Sequence, residues 1–440
     1  MTGTTSSGAA LPDMAMTDAE RTQSFQTATD GRYVHNPADD DPLTGVWHDL
    51  VGQRNAVRVL RHAVAGDPHA MTHAWLITGP PGSGRSNAAK AFAAALQCPR
   101  GGCGNCNACR TALSGAHPDV TQVRTEMLSI GVDEVRELVR KAAMSPTIGN
   151  CQVLVVEDAD RITDRGADAL LKSIEEPPPR TVWILCAPTP DDVIVTIRSR
   201  CRLLRLRTPR DEDVVQLLVE RDGVDPMMAQ YAAKAAQGHI GRARALARNE
   251  GARVARKVVL QVPGRLADLG SCLDIAEELV AQAAQEAARI TGDQDEQERA
   301  GLEQALGYGT KGARPRNAAA ALKDLEEQQK ARAKRLRRDA LDRSLSELTT
   351  WYRDVLAVQC AVVSLAEPNH PEELGEHHSG VGLINAEMTE EIRLAAASST
   401  PEHTVHCLDA ILECRAALQS NVAPLLAFES LLIQVAGLRN

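Results

Sequence analysis

The run GPPGSGRS, Gly79 to Ser86, comes within one letter of a phosphate-binding loop. The pattern G-x-x-x-x-G-K-[ST] carries lysine where this chain has Arg85. Gly79, Gly82 and Gly84 would let backbone N–H groups wrap a polyphosphate, and the N-terminus of the following helix would add partial positive charge. Ser86 stands where a hydroxyl reaches a Mg²⁺ ion, so ATP with Mg²⁺ is the ligand such a loop would take. Arg85 keeps the positive charge but spreads it over a planar fork. That exchange harms hydrolysis more than binding, because the charge has to sit accurately on the terminal phosphates. A Gly-Pro turn holding no nucleotide is the plain alternative.

Three further groups could do chemistry. In VLVVEDADRI an apolar run ends in Glu157 and Asp158. Beside a phosphate loop, such a strand end supplies Mg²⁺ coordination and polarises the attacking water. The order is the reverse of the usual Asp then Glu, which moves the water-activating carboxylate back by one methylene; an acidic helix cap is the alternative. In CPRGGCGNCNAC, Cys98, Cys103, Cys106 and Cys109 follow a C-x4-C-x2-C-x2-C spacing suited to a closed, structural tetrahedral thiolate site. An iron–sulfur cluster and four unliganded thiols are the competing readings. Cys151, Cys186, Cys201, Cys272, Cys360, Cys407 and Cys414 are scattered through apolar segments and read as buried thiols. In TIRSRC, Arg200 could place fixed positive charge on the nucleotide of a neighbouring subunit, although alone the run is a solvated charge cluster.

Around these groups the apolar runs HAWLITG, QVLVVED and TVWILCAP alternate with the amphipathic stretches RSNAAKAFAAAL and RGADALLKSIEE. Strands apolar nearly throughout predict a parallel sheet covered by helices on both faces, an α/β fold. That domain is expected over 43–207, after a Thr-, Ser- and Asp-rich tail over 1–42 that reads as disordered. A small helical lid follows over 208–255, then an all-helical domain over 256–440 with a mobile Gly/Arg-rich loop near 305–320. A formal charge of −9 over 440 residues argues against a nucleic-acid coat, and four Trp, four Tyr and three Phe are too few for a base-stacking platform. No apolar run approaches the roughly 18–20 residues needed to span a bilayer. The N-terminus lacks a signal peptide's pattern, so a soluble cytoplasmic protein with no membrane partner is expected.

Together these motifs resemble the clamp-loader branch of the AAA+ family, the subunits of bacterial DNA polymerase III. The resemblance runs from WHDLVGQ (Trp47 to Gln53) through HAWLITGPPGSGRS, the cysteine module, HPDV (117–120) and IGVDEVRELV. It continues through ADALLKSIEEPPP (167–179) and SRC, and fades after about residue 250. It implies an AAA+ P-loop domain, a helical lid and a C-terminal helical collar for oligomerisation. It also implies structural Zn²⁺ on Cys98, Cys103, Cys106 and Cys109. The partners implied are gamma/tau-type and delta-type subunits in a five-subunit ring at the nucleoid's replisome, which opens the sliding clamp and loads it on primer–template DNA.

The departures from the family pattern are Arg85 for lysine, the reversed Glu157–Asp158 pair, Gly241 for an arginine (with Arg242 one position late), and Ala187 and Pro188 near an expected sensor threonine. Arg200 matches. That combination implies a member doing little hydrolysis itself while assisting a neighbour in trans. The alternatives are an ATP-hydrolysing gamma/tau-type subunit and a nucleic-acid adaptor using KARAKRLRR (330–338). The basic run lies between Glu326, Glu327, Asp339 and Asp342 and reads as a solvated helix face. Nothing in the sequence supports polymerase chemistry within the chain.

Overall fold

The computed structural model of the chain describes residues 43–67, 69–125, 129–306, 318–360, 382–420 and 422–437. The tail expected over 1–42 and most of the loop expected near 305–320 lie outside these residues. The chain divides into two compact units, the first running to Ala243 and the second from Arg244 onward.

The first unit is built on a parallel sheet of β1 (Ala74–Thr78), β2 (Val120–Val123), β3 (Gln152–Val156), β4 (Thr181–Ala187) and β5 (Arg202–Arg205). Their order across the sheet is β2-β3-β4-β1-β5. The continuous apolar runs have a direct cause: successive side chains face two separate cores. Trp75 and Ile77 of β1, Val153 and Val155 of β3, and Ile184 and Cys186 of β4 pack on one side. Ala74, Leu76, Leu154, Val156, Trp183 and Leu185 pack on the other. Helices α1 (Arg54–Ala65), α2 (Arg85–Gln97) and α3 (Asn107–Ser114) cover the first core. Helices α4 (Val132–Ala142) and α5 (Asp164–Glu175) cover the second. This is the two-faced α/β architecture that the apolar strands predict.

Two strands, β2 and β5, go beyond the three apolar runs. Each has four residues, VTQV and RLLR, and lies at a sheet edge with side chains partly exposed. Their extended form comes from pairing with β3 and β1, and no apolar run announces it. The short helix α6 (Val195–Arg198) leads into β5. After β5 come α7 (Asp211–Gln216), α8 (Pro226–Ala236) and α9 (Ile240–Arg248).

The second unit is helical in all its described elements. It contains α10 (Glu250–Leu260), α11 (Leu269–Ala305), α12 (Ala318–Gln359), α13 (Thr389–Ser398), α14 (Pro401–Gln419) and α15 (Pro424–Val435). Their core holds Leu279, Leu345, Ile392, Ile411, Phe428 and Leu432. At 37 and 42 residues, α11 and α12 are about 55 and 63 Å long at 1.5 Å per residue. Beyond the apolar core, Arg332 of α12 pairs with Asp295 and Glu298 of α11. Among the described residues no helix is long and apolar enough to cross a membrane.

Candidate functional site

The phosphate-type loop leaves the C-terminal end of β1, between β4 and β5, and opens α2. Carboxyl ends of parallel strands are where α/β sheets bind ligands. Gly82 and Gly84 sit at φ +81° and +92°, in the left-handed region that favours glycine. The N–H of Gly79 donates to the Pro188 carbonyl at 3.1 Å, so the end of β4 holds the start of the loop. Gln53, only 2% exposed, donates to the carbonyls of Ser83 and Arg207 at 3.3 and 2.7 Å, and its Oε1 accepts the Arg207 N–H at 3.2 Å. That side chain ties the loop to the segment after β5, a role that its place in WHDLVGQ did not reveal.

Arg85 turns back on the loop, its guanidinium donating to the Gly79 carbonyl. Opposite, the His239 ring lies against Gly82, where an added Cβ would fall 2.2 Å from it. His239 Nδ1 accepts the backbone N–H of Arg242 at 3.2 Å. The segment expected to supply a sensor arginine therefore presents a histidine ring to the loop, with Gly241 beside that ring. The N–H groups of Arg85, Ser86 and Asn87 open α2, where no carbonyl one turn earlier within the helix can receive them.

Glu157 and Asp158 follow β3 directly. The Glu157 side chain is 7% exposed and ion-paired with Lys90 of α2, Nζ to Oε1 3.3 Å. Asp158 lies 3.9 Å from the Arg161 guanidinium. Burial raises the Asp160 pKa, and the nearby Asp158 charge adds to this, while Arg161 and Arg85 pull it down. Burial pushes the Cys186 thiol to about 12, assisted by Glu157 and opposed by Arg85. These mutual effects place Arg85, the acidic end of β3 and the floor of the loop in one electrostatic neighbourhood. Lys90 was not singled out from the sequence. Its signal was the four-residue step from Ser86, which puts both on one face of a helix.

The four cysteines converge. Their sulfurs all lie within 4.8 Å of one another. Cys98 Sγ is 3.6 Å from Cys103 Sγ and 3.7 Å from Cys106 Sγ. A tetrahedron with metal–sulfur bonds of about 2.3 Å has edges of about 3.8 Å, so the donor set fits one ion. Several irons between the sulfurs would hold them further apart. Backbone N–H groups of Arg100 and Cys103 point at Cys98 Sγ at 3.4 and 3.5 Å, and the Cys109 N–H at Cys106 Sγ at 3.4 Å. N–H groups of Asn105 and Cys106 draw the Cys103 pKa down to about 6. For Cys98, burial works upward but is outweighed by N–H groups of Cys103, Gly102 and Arg100. Burial pushes Cys109 up. The module is fastened by glycine: Gly102, at φ +107°, accepts the Val46 N–H at 3.0 Å and leaves no room for a Cβ against Val46, Trp47 and Ala95.

Arg200 lies away from the loop, just after α6. It is held by Glu175 at the end of α5, at 2.5 Å, and by the Thr196 carbonyl at 2.8 Å. Its side chain is 35% exposed.

The loop, Arg85, Ser86, Glu157 and Asp158 thus form one neighbourhood, while the cysteine module and Arg200 stand apart from it. Residues 52–210 match the family described as DNA polymerase III, delta subunit. The chain is 33% identical over 227 residues to DNA polymerase III subunit gamma/tau of Mycobacterium tuberculosis, covering 45% of this chain and 39% of that protein. It is 38% identical over 152 residues to the delta' subunit of Escherichia coli, covering 33% of this chain and 46% of that one. The chain thus spans less than half the length of either relative. A gamma-subunit-related DNA polymerase III protein of Thermotoga maritima shares 16% identity at a TM-score of 0.31, covering 66% of this chain and 99% of its own, too distant to inform the site. These matches bear out the resemblance to clamp-loader subunits of DNA polymerase III over the sheet-bearing part of the chain.

Proposed function

We propose that the chain serves as a clamp-loader subunit of the delta-prime kind: a ring member that turns over little or no ATP and lends Arg200 to the nucleotide of a neighbour. The pattern that supports this is the contrast between two places. The chain's own site departs from the hydrolysing pattern at Arg85 in the loop and at Glu157 after β3, which is engaged by Lys90. Arg200 keeps its place in the middle of SRC, partly exposed, with a carboxylate partner that could release it to a phosphate. In this reading Cys98, Cys103, Cys106 and Cys109 hold a structural zinc ion, and the helical second unit is the collar. Gamma/tau-type and delta-type subunits, the sliding clamp and primer–template DNA are the partners.

A second reading, an ATP-hydrolysing gamma/tau-type subunit, is favoured by the longer match to a gamma/tau relative. One experiment separates them. The full chain is combined with gamma/tau-type and delta-type subunits, clamp and primed DNA, and phosphate release is followed. Arg200→Ala should slow the assembly by at least about a hundredfold, since an arginine finger contributes on the order of 10³–10⁵ in rate. Arg200→Lys should restore only part, and gel filtration should show an intact ring in both. The lone chain should release no phosphate above background. Turnover by the lone chain, insensitive to Arg200→Ala, would replace this reading with the second.

A further inference from the structure

A Mg²⁺ ion is what a loop of this kind ordinarily holds between its Ser/Thr hydroxyl and an acidic strand end. The residues present do not fit one. We infer that the Lys90 ammonium stands in the metal's place, so that this site takes a nucleoside triphosphate without a divalent cation. The inference rests on reading Gly79 to Ser86 as a nucleotide site and deepens it.

Ser86 and Lys90 are one helical turn apart on α2 and share a face. From that face Lys90 reaches Glu157, the first residue after β3, Nζ to Oε1 3.3 Å. This is the carboxylate that would otherwise turn toward the metal. Mg²⁺ demands near-octahedral oxygen ligands at about 2.0–2.1 Å and gives up its water reluctantly. A carboxylate already neutralised by an ammonium, in a pocket that leaves it 7% exposed, gives such an ion neither free charge nor room. Asp158, the other acid, has the Arg161 guanidinium at 3.9 Å.

The positive charge that a bound polyphosphate needs at the loop is already in the chain as the Arg85 fork, folded onto the loop, while Lys90 behind Ser86 keeps the Glu157 charge from opposing it. The Ser83 hydroxyl points to a ligand as well. It is buried, has no hydrogen-bond partner, and lies inside the loop, 2.7 Å from where a Cβ on Gly79 would be. Arg85 for lysine and Lys90 opposite Glu157 then become two parts of one arrangement, a cradle whose counter-charge is covalently attached.

The test is equilibrium binding of ATP carrying a fluorescent group on the ribose to the full chain, in Mg²⁺ and in EDTA. The native chain should bind equally in both, within about twofold. Lys90→Met leaves Glu157 buried without its counter-charge, so affinity in EDTA should fall by about tenfold or more and return with Mg²⁺. Lys90→Arg, which keeps a cation, should bind alike in both conditions, and a thermal melt of each variant reports folding. Native binding that tightens tenfold with Mg²⁺ would overturn the inference. So would no binding in either buffer, which would leave the trans role of Arg200 standing, because that role is read from phosphate release by the assembly.

Discussion

Gly82 and Gly84 look equivalent as letters, yet different physics requires each. Both sit at positive φ, so any side chain costs backbone strain of about 1–3 kcal/mol. At Gly84 nothing lies within 4 Å of an added Cβ, and strain is the whole cost. At Gly82 the Cβ would also strike the His239 ring. Gly82→Ala should therefore destabilise the first unit more than Gly84→Ala in urea titrations, and His239→Ala should shrink that difference while leaving Gly84→Ala unchanged. Equal costs for the two would show that His239 moves aside freely. This pair also marks what was legible at this scale. The glycines, Arg85, Ser86, the acidic pair, the cysteines and Arg200 are all readable as letters at fixed spacing. Their partners His239, Gln53 and Glu175 are not, because each meets the site through the fold from a distant part of the chain, and Lys90 had only its four-residue step from Ser86 to mark it.

Edge strand β2 shows how an element can form without an apolar signature. Its central residues, Thr121 and Gln122, are polar, and the sheet holds it from one side only. The anchor is Asp119 just before it, 1% exposed, whose carboxylate accepts the N–H groups of Thr147, Ile148 and Gly149 at 2.6, 2.9 and 2.6 Å. Those residues form the turn that leads into β3, so one side chain fastens the strand to the approach of its neighbour. Burial pushes the Asp119 pKa up, but the three N–H donors outweigh it and leave the group below its ordinary value. A carboxyl whose folded pKa is depressed stabilises fully above its unfolded value of about 3.9 and loses that contribution as pH falls through the folded one. Asp119→Asn should cost about 1–3 kcal/mol at pH 7, where it replaces a charged acceptor of three donors. The gap between native and variant should narrow below about pH 4 as the native carboxyl takes up its proton. Denaturant midpoints at the two pH values measure this, and a gap that stays constant would assign the loss to shape rather than charge. The central strands needed no such inspection: two apolar faces make β1, β3 and β4 conspicuous, whereas β2 and β5 are specified by neighbours.

The two units have separate cores, one on each face of the sheet in the first and one inside the helical bundle in the second. No described strand crosses from one to the other, and the cysteine module lies wholly in the first. A metal bound there stabilises only what it holds. Ligation free energy becomes folding free energy for the segment that must be ordered to bind. The module is more than a local clip, because Gly102 and Gly104 pack on residues 45–47 and Cys98 and Cys109 belong to the core beneath α2. Stripping the metal should therefore reach the sheet-bearing unit and stop there. Scanning calorimetry of the full chain should resolve two transitions, with a zinc-selective chelator lowering one and leaving the other unmoved. For a unit of some 200 residues, each kcal/mol lost lowers Tm by about 2–4 °C, so the loss of about 3 kcal/mol should appear as a shift of about 6–12 °C. Cys103→Ser should reproduce the shift without chelator and abolish the further effect of adding it. Movement of both transitions together would mean that the units unfold as one, and no movement at all would mean that four sulfurs within 4.8 Å of one another hold nothing that matters to the fold.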